Sequence, residues 1–274
     1  MAPATAHHAN RFWLAANAFM ATLRRDLVVT RRELVQFLLQ ALIQPMFFLF
    51  IFCKILPGIG LTAGNFAALL LPGIVGLTEL MAAIQGVALP LVLDLGFARE
   101  IDDRLLAPLP VWMVALEKVL FAAMRGMVAG CVIFPAAWWT LGSRYAVRGD
   151  RIGVLLGMIV LAAFAGSGIG LLIGTLVKPE QISLMFSLIL TPLLFTGCTY
   201  YPWSALSRVR WFQVITLFNP LTYAAEGLRY AMVPPVHGQS MPTLPMPWVL
   251  LALAATIALC LWFGVRTFRN RVVS

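Results

Sequence analysis

The chain alternates long apolar stretches with short polar ones. Six of the apolar stretches have the ~20 residues that a helix needs to cross about 30 Å of hydrocarbon. Because lipid offers no partner to backbone N–H and C=O groups, we expect each stretch to be helical. The pattern therefore predicts an all-α integral membrane protein, in which residues 1–274 form a single transmembrane domain. The six predicted transmembrane helices are 35–56, 66–94, 112–141, 152–177, 182–201 and 246–265.

The N-terminal segment, residues 1–34, is amphipathic rather than uniformly apolar. Apolar side chains recur at helical spacing, among them Phe12, Phe19 and Leu23, and arginines cluster towards its end. Such a helix buries its apolar face at the acyl boundary and keeps its charges among the headgroups. The segment is predicted to be an interfacial helix on the cytoplasmic membrane face.

A second unusual segment, residues 202–245, lies between the fifth and sixth predicted spans. Asn219 and Pro220 are typical of a helix N-cap and first turn, and two prolines follow about three turns later. The helix carries further polar side chains, namely Thr222, Tyr223, Glu226 and Arg229. It is too short and too polar to cross a bilayer. Glu226 and Arg229 share one face, where they can pair with each other or cap neighbouring helices.

The segment 96–110, after the second predicted span, alternates charges and then reaches a proline-rich turn. Its charged residues are Arg99, Glu100, Asp102, Asp103 and Arg104. The pattern predicts a short cytoplasmic helix. An ordinary solvated loop is the alternative, but the adjoining Leu105 and Leu106 favour docking onto another protein.

Composition and charge agree with a membrane protein. Hydrophobic residues make up 61% of the chain and charged residues 11%, against about 45–50% and 25% in soluble domains. The net charge of +9 comes from basic residues that flank apolar runs, which indicates contact with lipid headgroups and no nucleic-acid partner. More of these residues fall on the side of both termini, so both termini are predicted to be cytoplasmic, although "SRYAVRGDR" at 143–151 opposes this.

Several polar residues fall inside the predicted spans. Gln36, Gln40 and Gln44 lie on one helix face, where they either bond to another helix or line a substrate path. Glu79 and Arg125 would each lie roughly 20 Å deep, and we expect them to form an ion pair because an unpaired charge there is costly.

Small residues recur every fourth position in the fourth span, which predicts close packing of that helix. They are Ala162, Gly166, Gly170 and Gly174.

The sequence shows few motifs for catalysis or for binding a nucleotide or metal. It has no G-x-x-x-x-G-K-[ST] phosphate-binding loop and no histidine within a predicted span. The cysteines lack metal-site spacing. We therefore expect neither an enzyme nor a bound metal or cofactor.

The layout resembles the membrane subunit of a type-2 ATP-binding-cassette exporter, the ABC-2 permease family. The most specific similarity is "YPWSALSRVRWFQVITLFNPLTYAAEGLR" at 201–229, with the Asn219–Tyr223 run leading to Glu226 and Arg229. The charged run at 99–104 followed by "LLAPLP" is similar to the family's coupling-helix region.

This resemblance implies an assembly that the residues alone do not show. Two separate ATPase subunits would bind ATP and Mg²⁺, and a second permease subunit, either an identical copy or a paralogue, would complete a dimer. Arg99, Glu100, Asp102, Asp103 and Arg104 would contact the ATPase. Residues 202–245 would form a re-entrant helical hairpin in the outer leaflet of a bacterial inner membrane, with Asn219, Pro220, Thr222, Tyr223, Glu226 and Arg229 as its gate residues.

The resemblance indicates the type of transporter but does not single out one class of cargo. We expect export of an amphipathic or hydrophobic small molecule, such as a drug or antibiotic, or of a lipid-linked compound. Export of a polysaccharide, lipo-oligosaccharide or glycolipid is the alternative. A secondary transporter would be expected to show internal repeats and more ionisable residues inside its spans, and an intramembrane enzyme would need a catalytic constellation.

Overall fold

The computed structural model describes residues 5–60, 66–95, 110–142, 147–235 and 241–273. Within these ranges the regular secondary structure is helical. The helices named below are α1 (Thr5–Arg32), α2 (Leu34–Phe50), α3 (Phe66–Leu93), α4 (Val111–Leu141), α5 (Ile152–Leu176), α6 (Thr191–Thr196), α7 (Arg210–Thr216), α8 (Pro220–Met232) and α9 (Met246–Val273). A π-helical turn at Ile51–Ile55 and a last short turn at Leu56–Gly58 extend α2.

Five helices in the described part of the chain are long and apolar enough to cross a membrane. They are Leu34–Gly58, Phe66–Leu93, Trp112–Leu141, Ile152–Leu176 and Met246–Arg271. These helices agree closely with the first four predicted spans and the last. The fold class is confirmed at this level, as an all-helical protein with several membrane-length apolar helices.

The fifth predicted span, 182–201, is not one continuous helix. A 3-10 turn at Pro179–Gln181, a short α-helix at Ile182–Met185 and a π-helical stretch at Phe186–Leu190 precede α6. Pro192 lies in the first turn of α6, where its missing N–H is tolerated. The count of six spans is therefore not confirmed, because the length of this region comes from several short helical pieces.

Helix α3 occupies the centre of the bundle. In its most apolar stretch 78% of the residues are buried, against 17% in the corresponding stretches of α2 and of α9. It packs against α4, α5 and α8. We conclude that α3 forms the core, whereas α2 and α9 expose most of their surface and lie at the periphery.

The two ends of the bundle are held by different contacts. At one end, here called the Arg271 end, Arg271 donates to the backbone carbonyls of Thr175 and Val177 at distances of 2.8 and 3.0 Å. At the other, the Arg229 end, Arg229 donates to the carbonyls of Leu69 and Thr199. Residues 179–196 therefore begin beside the Arg271 end and lead to the Arg229 end.

The small-residue ridge on α5 packs closely, as predicted, and the structure shows that its partner is α3. A Cβ added to Gly166 would lie 2.8 Å from the carbonyl oxygen of Leu80, and one added to Gly170 would lie 2.6 Å from that of Ile84. These distances are far shorter than a carbon–oxygen contact allows. The glycines therefore let the two helix backbones approach each other.

Two predicted segments form helices whose relation to the membrane stays a prediction. Helix α1 covers most of the predicted interfacial segment 1–34, and its described surface is largely exposed. The region 202–245 contains a 3-10 turn at Trp203–Arg208, followed by α7 and α8.

We expect Gly170→Ala to destabilise the protein, because its new methyl group would meet the backbone of Ile84 and force α5 away from α3. Overpacking of this kind costs roughly 1–3 kcal/mol. Thermal unfolding of the purified protein in detergent should show a clear fall in Tm. Gly157→Ala, on the same helix but with open space around the added methyl, is the matched control and should leave Tm unchanged or slightly raised. An equal Tm for both variants would contradict the close packing.

Candidate functional site

Helix α8 begins with a cap that also ties it to α6. The side-chain oxygen of Asn219 accepts a hydrogen bond from the backbone N–H of Leu221 at 2.9 Å. Its amide nitrogen donates to the carbonyl of Leu193 at 2.7 Å and to the hydroxyl of Thr196 at 2.8 Å. Pro220 fills the first turn, as the sequence indicated. One asparagine thus fixes both the start of α8 and its position against α6.

Thr222 and Tyr223 connect α8 to the end of α7. The hydroxyl of Thr222 donates to the carbonyl of Thr216 at 2.6 Å, and that of Tyr223 donates to the carbonyl of Leu217 at 2.8 Å. Both acceptors lie at the end of α7 or immediately after it. The turn between α7 and α8 is therefore held by side-chain hydrogen bonds from α8.

A buried ion pair lies further along α8. A guanidinium nitrogen of Arg229 is 2.9 Å from a carboxylate oxygen of Glu226, and both side chains are 0% exposed. Isolated charges in such surroundings would be strongly unfavourable. Of the two possibilities that the three-residue spacing of Glu226 and Arg229 allowed, pairing with each other is therefore present in the structure.

The remaining bonding groups of the pair reach other parts of the chain. Arg229 donates to the carbonyls of Leu69, Cys198 and Thr199. Glu226 accepts from the backbone N–H of Trp203 at 2.9 Å and from that of Leu244 at 3.3 Å. We call this group of residues the polar junction. It joins α8 to the start of α3, to the backbone after α6 and to the segment before α9.

Close backbone packing makes the polar junction possible. A Cβ on Gly73 would lie 2.0 Å from the carbonyl oxygen of Thr199, so only glycine permits α3 to approach here. Cys198 beside it has a φ of 51°, in the left-handed region that is uncommon for residues other than glycine. These two residues turn the Cys198 and Thr199 carbonyls towards Arg229.

The predicted ion pair between Glu79 and Arg125 is wrong. Glu79 is fully buried, and a Cβ on Gly130 of α4 would lie 3.4 Å from a Glu79 carboxylate oxygen. Neither oxygen has a hydrogen-bond partner among the residues that the structure describes. Arg125 instead lies beside Gly86, seven residues or about 10 Å further along α3. Both residues belong to the α3–α4 interface, but they lie at different heights.

Arg125 points towards the first turn of α2. Its guanidinium carbon lies 4.4 Å from the ring centre of Phe37 and 6.0 Å from that of Phe121. Its Nε atom is buried without a partner in the described part of the chain. The head of Arg125 is therefore level with the start of α2 and not deep within the bundle, contrary to the depth estimated from its position on α4 alone.

Two of the three aligned glutamines face a cleft between α2 and α3. Gln40 and Gln44 line it together with Gln85 and Arg125, whereas Gln36 is exposed outside it. The cleft encloses about 870 Å³ of non-atom space, part of which is open to the surroundings. Over the described residues the three glutamines of α2 make no side-chain hydrogen bond to another helix, so the arrangement favours the cleft-lining interpretation.

Another ion pair, which was not predicted from the sequence, lies close to the 96–110 segment. Lys118 of α4 donates to Asp94, just beyond the end of α3, at 2.7 Å. Both side chains are mostly buried. Asp94 and Lys118 each stand near the end of an apolar run, and their opposite charges at neighbouring span ends were the signal that could have predicted the contact. The pair joins the two helices that flank the 96–110 segment.

The predicted ATPase-contacting residues lie outside the described residues. They are Arg99, Glu100, Asp102, Asp103 and Arg104. Within the described ranges, no group of three or more acidic, histidine or cysteine side chains is placed to hold a metal ion.

We expect Arg229→Gln to destabilise the protein strongly, since it leaves Glu226 as a buried charge without its partner. Removing one member of a buried pair costs about 3–5 kcal/mol. The measurement is Tm by thermal unfolding in detergent, together with the monodisperse fraction on size-exclusion chromatography. Arg210→Gln, which changes an exposed arginine of the same region, is the control and should behave as wild type. Equal losses in both variants would show that burial of the pair does not matter.

The separation of Glu79 and Arg125 predicts that their substitutions act independently. The unfolding free energies of Glu79→Gln, Arg125→Gln and the double variant should be additive to within about 0.5 kcal/mol. A buried pair in contact would instead show coupling of up to ~3 kcal/mol. A large favourable coupling energy would show that Glu79 and Arg125 form an ion pair after all and would contradict their separation in the structure.

The chain is similar in sequence to one known family and to several known proteins. The family model described as "ABC-2 type transporter" matches residues 17–233, from α1 to just beyond α8. The "Inner membrane transport permease YadH" of Escherichia coli (strain K12) is 26% identical over 170 residues, which are 62% of this chain and 64% of that protein. The YadH proteins of Escherichia coli O157:H7 and Shigella flexneri match to the same extent.

The chain thus covers slightly less than two thirds of the length of these relatives. The family match, by contrast, extends over well more than half of the chain and includes the cleft and all of the polar junction except Leu244. The chain belongs to the ABC-2 type transporter family.

Proposed function

We propose that this chain is the permease subunit of an ATP-driven exporter in a bacterial cytoplasmic membrane. Its cargo would be an amphipathic or hydrophobic small molecule, such as a drug or antibiotic, or a lipid-linked compound. Polysaccharide, lipo-oligosaccharide or glycolipid export is the alternative cargo class. Family membership supports transport in general, and the YadH relatives are named as inner membrane transport permeases.

The observation that carries the proposal is the cleft between α2 and α3. In a bilayer, polar side chains are retained where they face protein or a wet path rather than lipid. Gln40, Gln44 and Arg125 all open into this cleft, while its wall on α3 is mainly apolar and includes Leu77 and Met81. A cleft with both characters suits a cargo that has a polar head and an apolar body.

In this proposal the chain crosses the membrane six times, with both termini in the cytoplasm at the Arg271 end. Residues 179–196 would supply the fifth crossing as linked short helices. Their course from the Arg271 end to the Arg229 end supports this, because the carbonyl of Val177 bonds to Arg271 and that of Thr199 bonds to Arg229.

The region 202–245 would then be a re-entrant hairpin dipping into the outer leaflet. Helix α7 and the second residue after it expose apolar side chains, with Trp211 at 69% and Phe218 at 85%. Bulky apolar groups of this kind are stabilised at a lipid boundary. Asn219, Pro220, Thr222, Tyr223, Glu226 and Arg229 would hold the hairpin in place as a gate, through the contacts of the polar junction and the α8 cap.

ATP hydrolysis would take place on a separate ATPase subunit, present in two copies, with ATP and Mg²⁺ bound there. A second permease, either identical or a paralogue, would complete the dimer. Residues 96–110 would form the coupling helix that contacts the ATPase. The ion pair between Lys118 and Asp94 supports a rigid attachment of this segment, because it clamps the two helices that lead into it and out of it.

The proposal is tested by co-expression with a candidate Walker-A ATPase, followed by co-purification and measurement of ATP hydrolysis in proteoliposomes with and without cargo. We expect a stable complex whose ATPase rate responds to transported cargo. Failure of every genomically neighbouring ATPase to bind would contradict the proposal.

The coupling segment gives a sharper test. We expect the double charge reversal Asp102→Lys and Asp103→Lys to leave folding intact but to reduce cargo-stimulated ATP hydrolysis at least about tenfold, which is ~1.4 kcal/mol of lost coupling. The control is Asp150→Lys, which reverses an exposed charge near the Arg229 end. Asp150 pairs with Arg148, whose hydrogen bonds hold the pKa of Asp150 below its usual range, and exposed pairs contribute little to stability. Unchanged coupling in the Asp102/Asp103 variant would remove the assigned role of the segment.

A further inference from the structure

We propose that the cleft between α2 and α3 is a binding site for an anionic membrane amphiphile, whose phosphate head is bound by Arg125. The inference deepens the proposed function, on which it rests for its orientation and transport role. The binding itself does not depend on ATP or on an ATPase.

The first step concerns the charge of Arg125. Among the residues that the structure describes, no carboxylate lies within ion-pair distance of its guanidinium, and its Nε atom is buried without an acceptor. The acidic residue whose field reaches it is Glu33, which is exposed before the start of α2. A partly buried cation next to apolar helices is unfavourable without an anion. The surroundings of Arg125 therefore favour an anion supplied from outside the chain.

The second step concerns the direction of its donors. The guanidinium carbon lies over the ring of Phe37, at 4.4 Å from the ring centre. A cation–π contact occupies none of the N–H groups of the guanidinium, so these groups stay available for hydrogen bonds. Phe37 is buried, so it holds Arg125 in place before a ligand arrives. Such a preorganised fork suits the oxygen atoms of a phosphate group.

The third step concerns the shape of the cleft. Its lining on α3 extends from Ile74 to Pro90, which is about 24 Å of helix. Arg125 lies near one end of this length, beside Gly86, which also lines the cleft. From there towards Ile74 the wall is mainly apolar, with Gln40 and Gln44 along the opposite side. A single acyl chain could lie along the apolar wall with its head at Arg125.

The depth agrees with this assignment. Phe37 belongs to the first turn of α2, which starts at Leu34. The guanidinium therefore lies at the level where a membrane helix begins, and this is the level at which lipid headgroups meet the hydrocarbon. A lipid of the same leaflet can reach Arg125 without moving its head into the membrane interior. Charge, donor geometry and depth together point to one class of ligand, an amphiphile with an anionic phosphate head and an acyl chain.

The test is native mass spectrometry of the full-length protein, purified in detergent and titrated with two lipids of identical acyl chains. Phosphatidylglycerol has an anionic head, whereas phosphatidylcholine carries no net charge. Glycerol 1-phosphate, which has the head chemistry but no tail, is a third ligand. We expect phosphatidylglycerol to bind at least about tenfold more tightly than phosphatidylcholine, a difference of ~1.4 kcal/mol. We expect glycerol 1-phosphate to bind far more weakly than phosphatidylglycerol.

Variants locate the site. Arg125→Gln should abolish the preference, Arg125→Lys should keep part of it, and the exposed Arg210→Gln should leave it unchanged. Where Arg125→Gln does not fold, Gln44→Trp decides, because it fills the cleft while keeping the arginine and should reduce phosphatidylglycerol binding at least about fivefold. A wild-type protein without preference, or a preference unaffected by the Arg125 or Gln44 substitution, overturns the inference. Glycerol 1-phosphate binding as tightly as the lipid would assign the site to free anions and overturn the amphiphile.

The outcome is separable from that of the proposed function. A chain that binds phosphatidylglycerol through Arg125 but associates with no ATPase would support this site and contradict the exporter. A chain that forms an active complex with an ATPase but shows no lipid preference would do the reverse.

Discussion

The buried ion pair between Glu226 and Arg229 is the interaction on which the Arg229 end of the bundle depends. Its two side chains are fully buried, yet each has several hydrogen-bond partners. Those partners are backbone groups from parts of the chain that are far apart in sequence. Because leaving any member of a buried polar network unsatisfied costs about 1–3 kcal/mol, these parts are stable only in their common arrangement. A polar contact thus fixes the relative positions of apolar helices.

The same pair explains how irregular backbone is tolerated after α6. Cys198 and Thr199 lie outside a helix, so their carbonyls have no intrahelical partner. Lipid could not satisfy them, but Arg229 donates to both. Gly73 allows α3 to approach closely enough for this, because any side chain there would collide with Thr199. The non-helical backbone at Cys198 and Thr199 is therefore stable only because Gly73 lets α3 approach and Arg229 satisfies the two carbonyls.

Hydropathy predicted the long helices well because their length and apolar character are set by the medium that surrounds them. The start of α8 was predictable for a local reason, since an asparagine followed by a proline is typical of a helix N-cap and first turn, and Asn219 and Pro220 occupy these positions. The broken helix at 179–196 was not, because π-helical and 3-10 turns have nearly the same hydropathy as an α-helix. The separation of Glu79 and Arg125 was not predictable either. It depends on rotation about the helix axes and on Gly126 and Gly130, which bring α4 against Glu79.

Two arginines of this chain illustrate how the fate of a cation inside a bundle is decided by its donors. Every guanidinium nitrogen of Arg229 has an acceptor in the protein, so this arginine stabilises the fold. Arg125 has an aromatic ring beneath it but no hydrogen-bonded acceptor in the described chain, and it opens into a cleft. An arginine that the protein itself satisfies is structural. One that the protein positions but leaves unsatisfied needs an acceptor from outside, and at the depth of Arg125 the surrounding medium that carries such acceptors is the layer of lipid phosphates.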